Sequence, residues 1–226
     1  MQAFFDMIQE NKGWRRTIMK YDAVIFDVDG TLWDSTKVVA SAWNQAMEEL
    51  GVVREPITSD ILKTEFGKPM NIIVDNLFPM ADQNTRDEIL RRACIYEHEL
   101  LIGHKENLMF PGVREVFEKL SKKCKVYVVS NCQCGYIELF LEKNDLEQYV
   151  TDSECYGNTL LSKGENIRLV IERNHIQNAF YVGDTPGDFK ASKDAEIPFV
   201  YVTYGFDKVE GAWKEIDDIR EVLELV

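Results

Sequence analysis

Two aspartates one residue apart, Asp27 and Asp29, follow directly on the apolar run Val24-Ile25-Phe26, and Gly30 and Thr31 come next. Such a run suits a short strand buried on both faces of a parallel sheet. Side chains alternate along a strand, but both acids can turn toward one crevice where the chain leaves the sheet at the strand's carboxyl end. Open α/β sheets bind their ligands there. Two carboxylates held close repel each other, so a positive charge is expected among them. A hard cation such as Mg²⁺ takes oxygen ligands of this kind and keeps waters for a phosphate to displace. An ordinary solvated turn uses the same residue types, so the rest of the chain decides.

Two further apolar runs end in polar groups. Val126-Tyr127-Val128-Val129 leads to Ser130-Asn131, and Phe180-Tyr181-Val182 leads to Gly183-Asp184-Thr185-Pro186-Gly187-Asp188. Between them Ser162-Lys163-Gly164 opens a helix, which places a lysine at its start. Parallel strands point the same way, so their carboxyl ends share one rim of the sheet. Asp27, Asp29, Ser130, Lys163, Asp184 and Asp188 can therefore converge on that rim.

The elements that must carry these groups are legible in outline. From about 35 to 105 no strong strand signal appears. Val38, Val39, Ala42, Ala46, Met47 and Leu50 recur at helical spacing until Gly51. Ser59 or Asp60 can cap a second helix, Gly67-Lys68-Pro69 breaks the chain, and Met70 to Leu77 and Thr85 to Leu101 read as further helices. After the turn Phe110-Pro111-Gly112 come a helix over Val113 to Lys122, the Val126 strand, and a helix over 135 to 143. An extended piece near Tyr149 to Tyr156 and a helix over Glu165 to Arg173 follow. The Phe180 strand, a helix over 188 to 194, the strand Phe199 to Val202 and a closing polar amphipathic helix complete the series. This alternation predicts an α/β fold, a doubly wound parallel sheet with a helical cap inserted after the first strand. The division expected is an extension at 1–20, a core at 21–34 and 108–226, and a cap at 35–107. Within the extension, Phe4, Phe5, Ile8 and Trp14 suggest a short amphipathic helix.

A chain of 226 residues with 45% hydrophobic residues can bury a proper core. Its net charge of −13 argues against general affinity for nucleic acid or an anionic membrane, and no apolar run approaches the ~20 residues of a membrane span. A small anionic substrate then needs a local positive site. Five cysteines, an odd number without a secretory leader, suggest reduced thiols and a cytoplasmic setting. Cys132 and Cys134 do not match a zinc or thioredoxin-type spacing, and the three histidines form no ligand group.

With these residues assembled, the sequence resembles the haloacid dehalogenase superfamily over roughly residues 21 to 210, in the helical-cap subgroup of the phosphoglycolate phosphatases and β-phosphoglucomutases. The resemblance implies that Asp27 is the nucleophile and Asp29 the general acid/base of Asp-Val-Asp-Gly-Thr. It implies that Ser130, with Thr31 and Asn131, binds the phosphate and that Lys163 neutralises it. It also implies that Asp27, the Asp29 carbonyl, Asp184 and Asp188 form a Mg²⁺ site. Lys163 is followed by Gly-Glu-Asn where many relatives place a proline, which bears on the local loop shape. Relatives that displace halide lack the second aspartate, so Asp29 favours phosphate chemistry. The mutases carry a histidine in the first cap linker, where this chain has Thr36-Lys37-Val38-Val39.

The expectation is a Mg²⁺-dependent phosphatase acting on a small phosphorylated metabolite through an aspartyl-phosphate, as a monomer or homodimer. The alternatives are a phosphosugar mutase and a non-catalytic phosphate-binding protein of the same fold. Lys68, at the break between cap helices, is the expected contact for a second anionic group, as in phosphoglycolate.

Overall fold

A computed structural model describes residues 21–226, and the amphipathic segment expected within 1–20 lies outside the described residues. Six strands form one parallel sheet: β1 (Ala23–Phe26), β2 (Lys125–Ser130), β3 (Asp152–Cys155), β4 (Ala179–Gly183), β5 (Phe199–Val202) and β6 (Lys214–Ile216). Their spatial order is β3-β2-β1-β4-β5-β6, and every pair is parallel. The chain winds outward from β1 in both directions. The β1 neighbours are therefore β2 and β4, and Phe26 lies opposite both Val128 and Val182. That register brings the ends of the three chemistry-bearing strands side by side.

The apolar runs are continuous in sequence because each strand is covered on both faces. Val24, Phe26, Val126, Val128, Phe180 and Val182 pack on one face against α5 (Val113–Leu120) and α6 (Tyr136–Lys143). Ile25, Tyr127, Val129 and Tyr181 pack on the other against α8 (Lys163–Arg173) and α9 (Pro186–Asp194). Full burial of each such side chain stabilises the fold by about 1.5–3 kcal/mol. Between α6 and α8, the short helix α7 (Tyr156–Thr159) follows β3.

Four helices lie between β1 and the rest of the sheet: α1 (Thr36–Glu49), α2 (Ser59–Glu65), α3 (Met70–Leu77) and α4 (Gln83–Gly103). They surround their own core, in which Trp43, Met47, Leu62, Ile73, Leu77 and Ile89 are buried. The two chain segments joining this cap to the sheet are zipped together. Asp34 N donates to Leu108 O (2.9 Å) and Phe110 N donates to Leu32 O (3.0 Å).

Two local expectations are corrected. The cap of α2 is Thr58, whose side chain accepts from Ile61 N. The break in the cap is as expected, with α2 ending at Glu65 and α3 beginning at Met70. The chain does not close on an amphipathic helix. Residues Lys214–Ile216 add an edge strand to β5, and Ile219–Glu224 form a 3-10 helix started by Asp218 and Glu221. A three-residue edge strand with two exposed positions carries too little pattern to be told from a polar helix.

Candidate active site

Each site residue stands at a strand end or helix start, and local sequence explains its placement. Asp27 follows β1, and its N–H donates to Val182 O (2.9 Å) across the β1–β4 pair. Gly30 then turns back with φ +82°, and a Cβ there would stand 2.2 Å from Asp184 Oδ2. Both the backbone angle and this approach demand glycine. Ser162 and Glu165 form a capping box that starts α8 with Lys163 as its first residue. Gly164 lets α8 approach α9 closely, since a Cβ would lie 2.8 Å from Asp194 Cβ. That contact accounts for glycine at the position where many relatives are expected to carry proline. Thr185 and Asp188 make a second box, with Pro186 in the first turn of α9.

These caps aim the charges inward. Lys163 Nζ lies 2.9 Å from Asp27 Oδ1 and 2.6 Å from Asp188 Oδ1, with all three groups buried. Asp188 uses its other oxygen to accept from Thr185 N (3.0 Å) and Thr185 Oγ1 (2.7 Å). Asp184 accepts from Thr31 Oγ1 (3.0 Å) and from Phe206 N (2.8 Å). The Thr31 hydroxyl, expected at the phosphate, is thus committed to orienting Asp184.

Asp27, Asp184 and Asp188 each offer an oxygen within 4.8 Å of the others. Three buried carboxylates face one ammonium. Burial, together with Asp188 and Asp27, pushes Asp184 well above the usual carboxylate range. Burial lifts Asp27 to about 6, although Lys163 opposes the shift. Burial also works against the charge on Lys163, but Asp188 and Asp27 outweigh it and raise its pKa. An all-oxygen, anionic set short of positive charge fits Mg²⁺.

Asp29 is held apart from this cluster. Its Oδ1 accepts from Ser35 Oγ (2.7 Å) and from Tyr136 Oη (2.9 Å). Burial raises its pKa to about 7, against the opposing pull of those two hydrogen bonds. With Oδ1 filled by two donors, the proton of the neutral acid belongs on Oδ2.

Asp27, Asp29, Ser130, Asn131 and Lys68 line one cleft between cap and core. Asn131 Nδ2 donates to the Gly67 carbonyl (2.7 Å), which ties the loop after β2 to the break between α2 and α3. Lys63 reaches Asp34 (3.0 Å) across the same junction. Of the two noted cysteines, Cys132 is buried and lines the cleft, whereas Cys134 is exposed.

Sequence reasoning did not single out Tyr136, Ser35, Gln133 or Glu97 as functional, yet all four touch Asp29 or line the cleft. For Glu97 a signal was available. Ile89, Ala93, Glu97 and Leu101 recur every fourth residue and are the buried positions of α4, so a glutamate sits in an apolar stripe. Tyr136 offered no comparable pattern.

Known proteins share the family and the fold of this chain. The haloacid dehalogenase-like hydrolase family matches residues 24–202. A phosphoglycolate phosphatase of Agrobacterium fabrum is 26% identical over 195 residues, 82% of this chain and 82% of that protein. One from Photobacterium profundum is 25% identical over 196 residues, 81% of this chain and 84% of that protein. In fold, the chain is similar to a haloacid dehalogenase-like family hydrolase from Streptococcus pneumoniae. That likeness has a TM-score of 0.78 at 19% identity and covers 91% of this chain and 98% of the other.

Proposed function

The chain belongs to the haloacid dehalogenase-like hydrolases, and on that footing we propose that it hydrolyses a small-molecule phosphate monoester with Mg²⁺ through an aspartyl-phosphate on Asp27. The observation that carries this reading is the placement of two aspartates in different surroundings. Asp27 lies against Lys163 and the acid cluster, while Asp29 is held separately by Ser35 and Tyr136 with a pKa of about 7.

Asp27 attacks phosphorus as the bond to the leaving oxygen breaks, and Asp29 gives that oxygen its proton. Water then attacks the aspartyl-phosphate, Asp29 recovers a proton from it, and inorganic phosphate leaves with Asp27 regenerated. Phosphoryl transfer rests mainly on positioning and electrostatics, because its charge spreads over the equatorial oxygens. Lys163 beside Asp27 and the Ser130 hydroxyl at the cleft supply part of that stabilisation. Asp27, Asp184, Asp188 and the Asp29 carbonyl would hold Mg²⁺, which when bound would supply positive charge to offset repulsion between nucleophile and phosphate.

The cap excludes water and reads the alcohol portion. Phosphoglycolate belongs in the substrate panel because relatives carry that name.

The test is release of inorganic phosphate from phosphoglycolate, sugar phosphates and nucleotides, with and without Mg²⁺, by the wild type and by Asp27→Asn. Mg²⁺-dependent release that disappears in the variant is expected. Release that survives Asp27→Asn overturns the mechanism. Isomerisation of β-glucose 1-phosphate without release makes the protein a mutase.

A further inference from the structure

Glu97 takes no part in the chemistry above, yet it lines the same cleft from α4 and is only 2% exposed. Its Oε1 accepts from Trp43 Nε1 (2.7 Å) and its Oε2 from Gln133 Nε2 (2.7 Å). Both partners are neutral, and the charged group acting on it is another acid, Asp29. A buried carboxylate without a cation is expensive. The fold does not need the charge. A glutamine could accept from Trp43 through its oxygen and donate to the flipped amide of Gln133. A carboxylate also has about four acceptor sites, and the protein fills two.

Asn131 repeats the pattern. Its Nδ2 donates to the Gly67 carbonyl, which can only accept, so the amide orientation is fixed. Its Oδ1 is buried at the cleft with no partner. This correction bears on the phosphate role expected for Asn131, since its side chain presents the cleft with an acceptor. Lys68, the cation expected to greet a second anion, already holds Glu65 Oε2 (2.9 Å) and Thr64 O (3.0 Å).

We propose that Glu97 and Asn131 select an alcohol portion rich in hydrogen-bond donors, that of a polyol, sugar or amino-alcohol phosphate, over one that carries a carboxylate. This rests on the phosphatase reading and names its substrate class. An ammonium can donate to both waiting acceptors, and a polyol can do so with two of its hydroxyls. A carboxylate in that place faces two acceptors and adds a charge next to Glu97. Sites built to hydrogen-bond a substrate group discriminate strongly against analogues that lack it.

The experiment compares kcat/KM at pH 8, above the raised pKa of Glu97, for glycerol phosphate, ethanolamine phosphate, phosphoglycolate and, as a reference without either group, ethyl phosphate, in the wild type and in Glu97→Gln. The wild type is expected to prefer the donor-bearing esters to phosphoglycolate. Glu97→Gln is expected to reduce that preference by about tenfold or more, the worth of a hydrogen bond to a charged group, with ethyl phosphate little changed. Binding of the same four esters to Asp27→Asn, with and without Glu97→Gln, gives a readout independent of turnover. If no ester is hydrolysed, the phosphatase reading fails, while the binding preference still decides the role of Glu97. A wild type that favours phosphoglycolate, or a Glu97→Gln loss equal on all four esters, overturns the inference.

Discussion

Replacing Glu97 by glutamine should make the protein more stable at pH 8 and leave it nearly unchanged at pH 5. Burial, opposed by the Gln133 and Trp43 hydrogen bonds and reinforced by Asp29, lifts Glu97 from its ordinary 4.5 to about 7. Between those values the unfolded chain gives up the proton while the folded chain keeps it. The unfolded state then binds fewer protons, so stability falls as pH rises through this window and levels off above it. The shift of roughly 2.5 units amounts to about 3 kcal/mol at pH 8, at ~1.4 kcal/mol per unit. At pH 5 the same arithmetic leaves less than about 1 kcal/mol. These are upper values, because water in the cleft relieves part of the burial. Urea denaturation of both proteins at both pH values, in the presence of a chelator, measures the difference. Groups that titrate alike in the two proteins cancel in the comparison. An equal effect at pH 5 and pH 8, or a loss of stability at pH 8, would refute the claim that Glu97 stores an uncompensated charge.

Other perturbations test the site in parts. Lys163→Met leaves Asp27 and Asp188 without their shared cation. Stability in chelator should fall by about 3–5 kcal/mol at pH 8 and recover partly toward pH 5 as Asp27 protonates, which denaturant midpoints would show. Tyr136→Phe removes one of two donors to Asp29 Oδ1. A pH–rate profile should show kcat lowered by about tenfold and the Asp29 limb moved upward, since that hydrogen bond lowers its pKa. Gly30→Ala forces a positive φ on alanine and drives a Cβ into Asp184. The Mg²⁺ concentration for half-maximal activity should rise by about tenfold or more, with a stability loss of about 1–3 kcal/mol. An unchanged Mg²⁺ requirement would remove Asp184 from the metal site.

The sequence revealed most where one local pattern determines both a fold element and a chemical group. Val24 to Asp29 is such a case, since the apolar run fixes a buried strand and its end fixes where the acids emerge. The start of α8 at Ser162-Lys163-Gly164 is another, because the signal that opens the helix also positions Lys163; the helix expected from 188 begins instead at Pro186, started by the Thr185–Asp188 box. What stayed hidden depends on contacts that no local pattern encodes. Asp29 reads as an acid, but its separation from the other carboxylates comes from a tyrosine 107 residues later, delivered when α6 packs on the sheet. Thr31 reads as a phosphate-binding hydroxyl, yet the β1–β4 pairing places Asp184, 153 residues on, close enough to claim it. Glu97 lies between these cases. Its place in an apolar stripe is visible in sequence, whereas its place at the mouth of the chemistry follows only once the cap closes on Gln133. The core motifs therefore mark the family, and the cap–core contact brings Glu97 and Asn131 to the cleft, where we place substrate discrimination. Residues of the second kind must be sought as charges in buried stripes that lack a counter-ion, because the fold alone gives no reason to keep them.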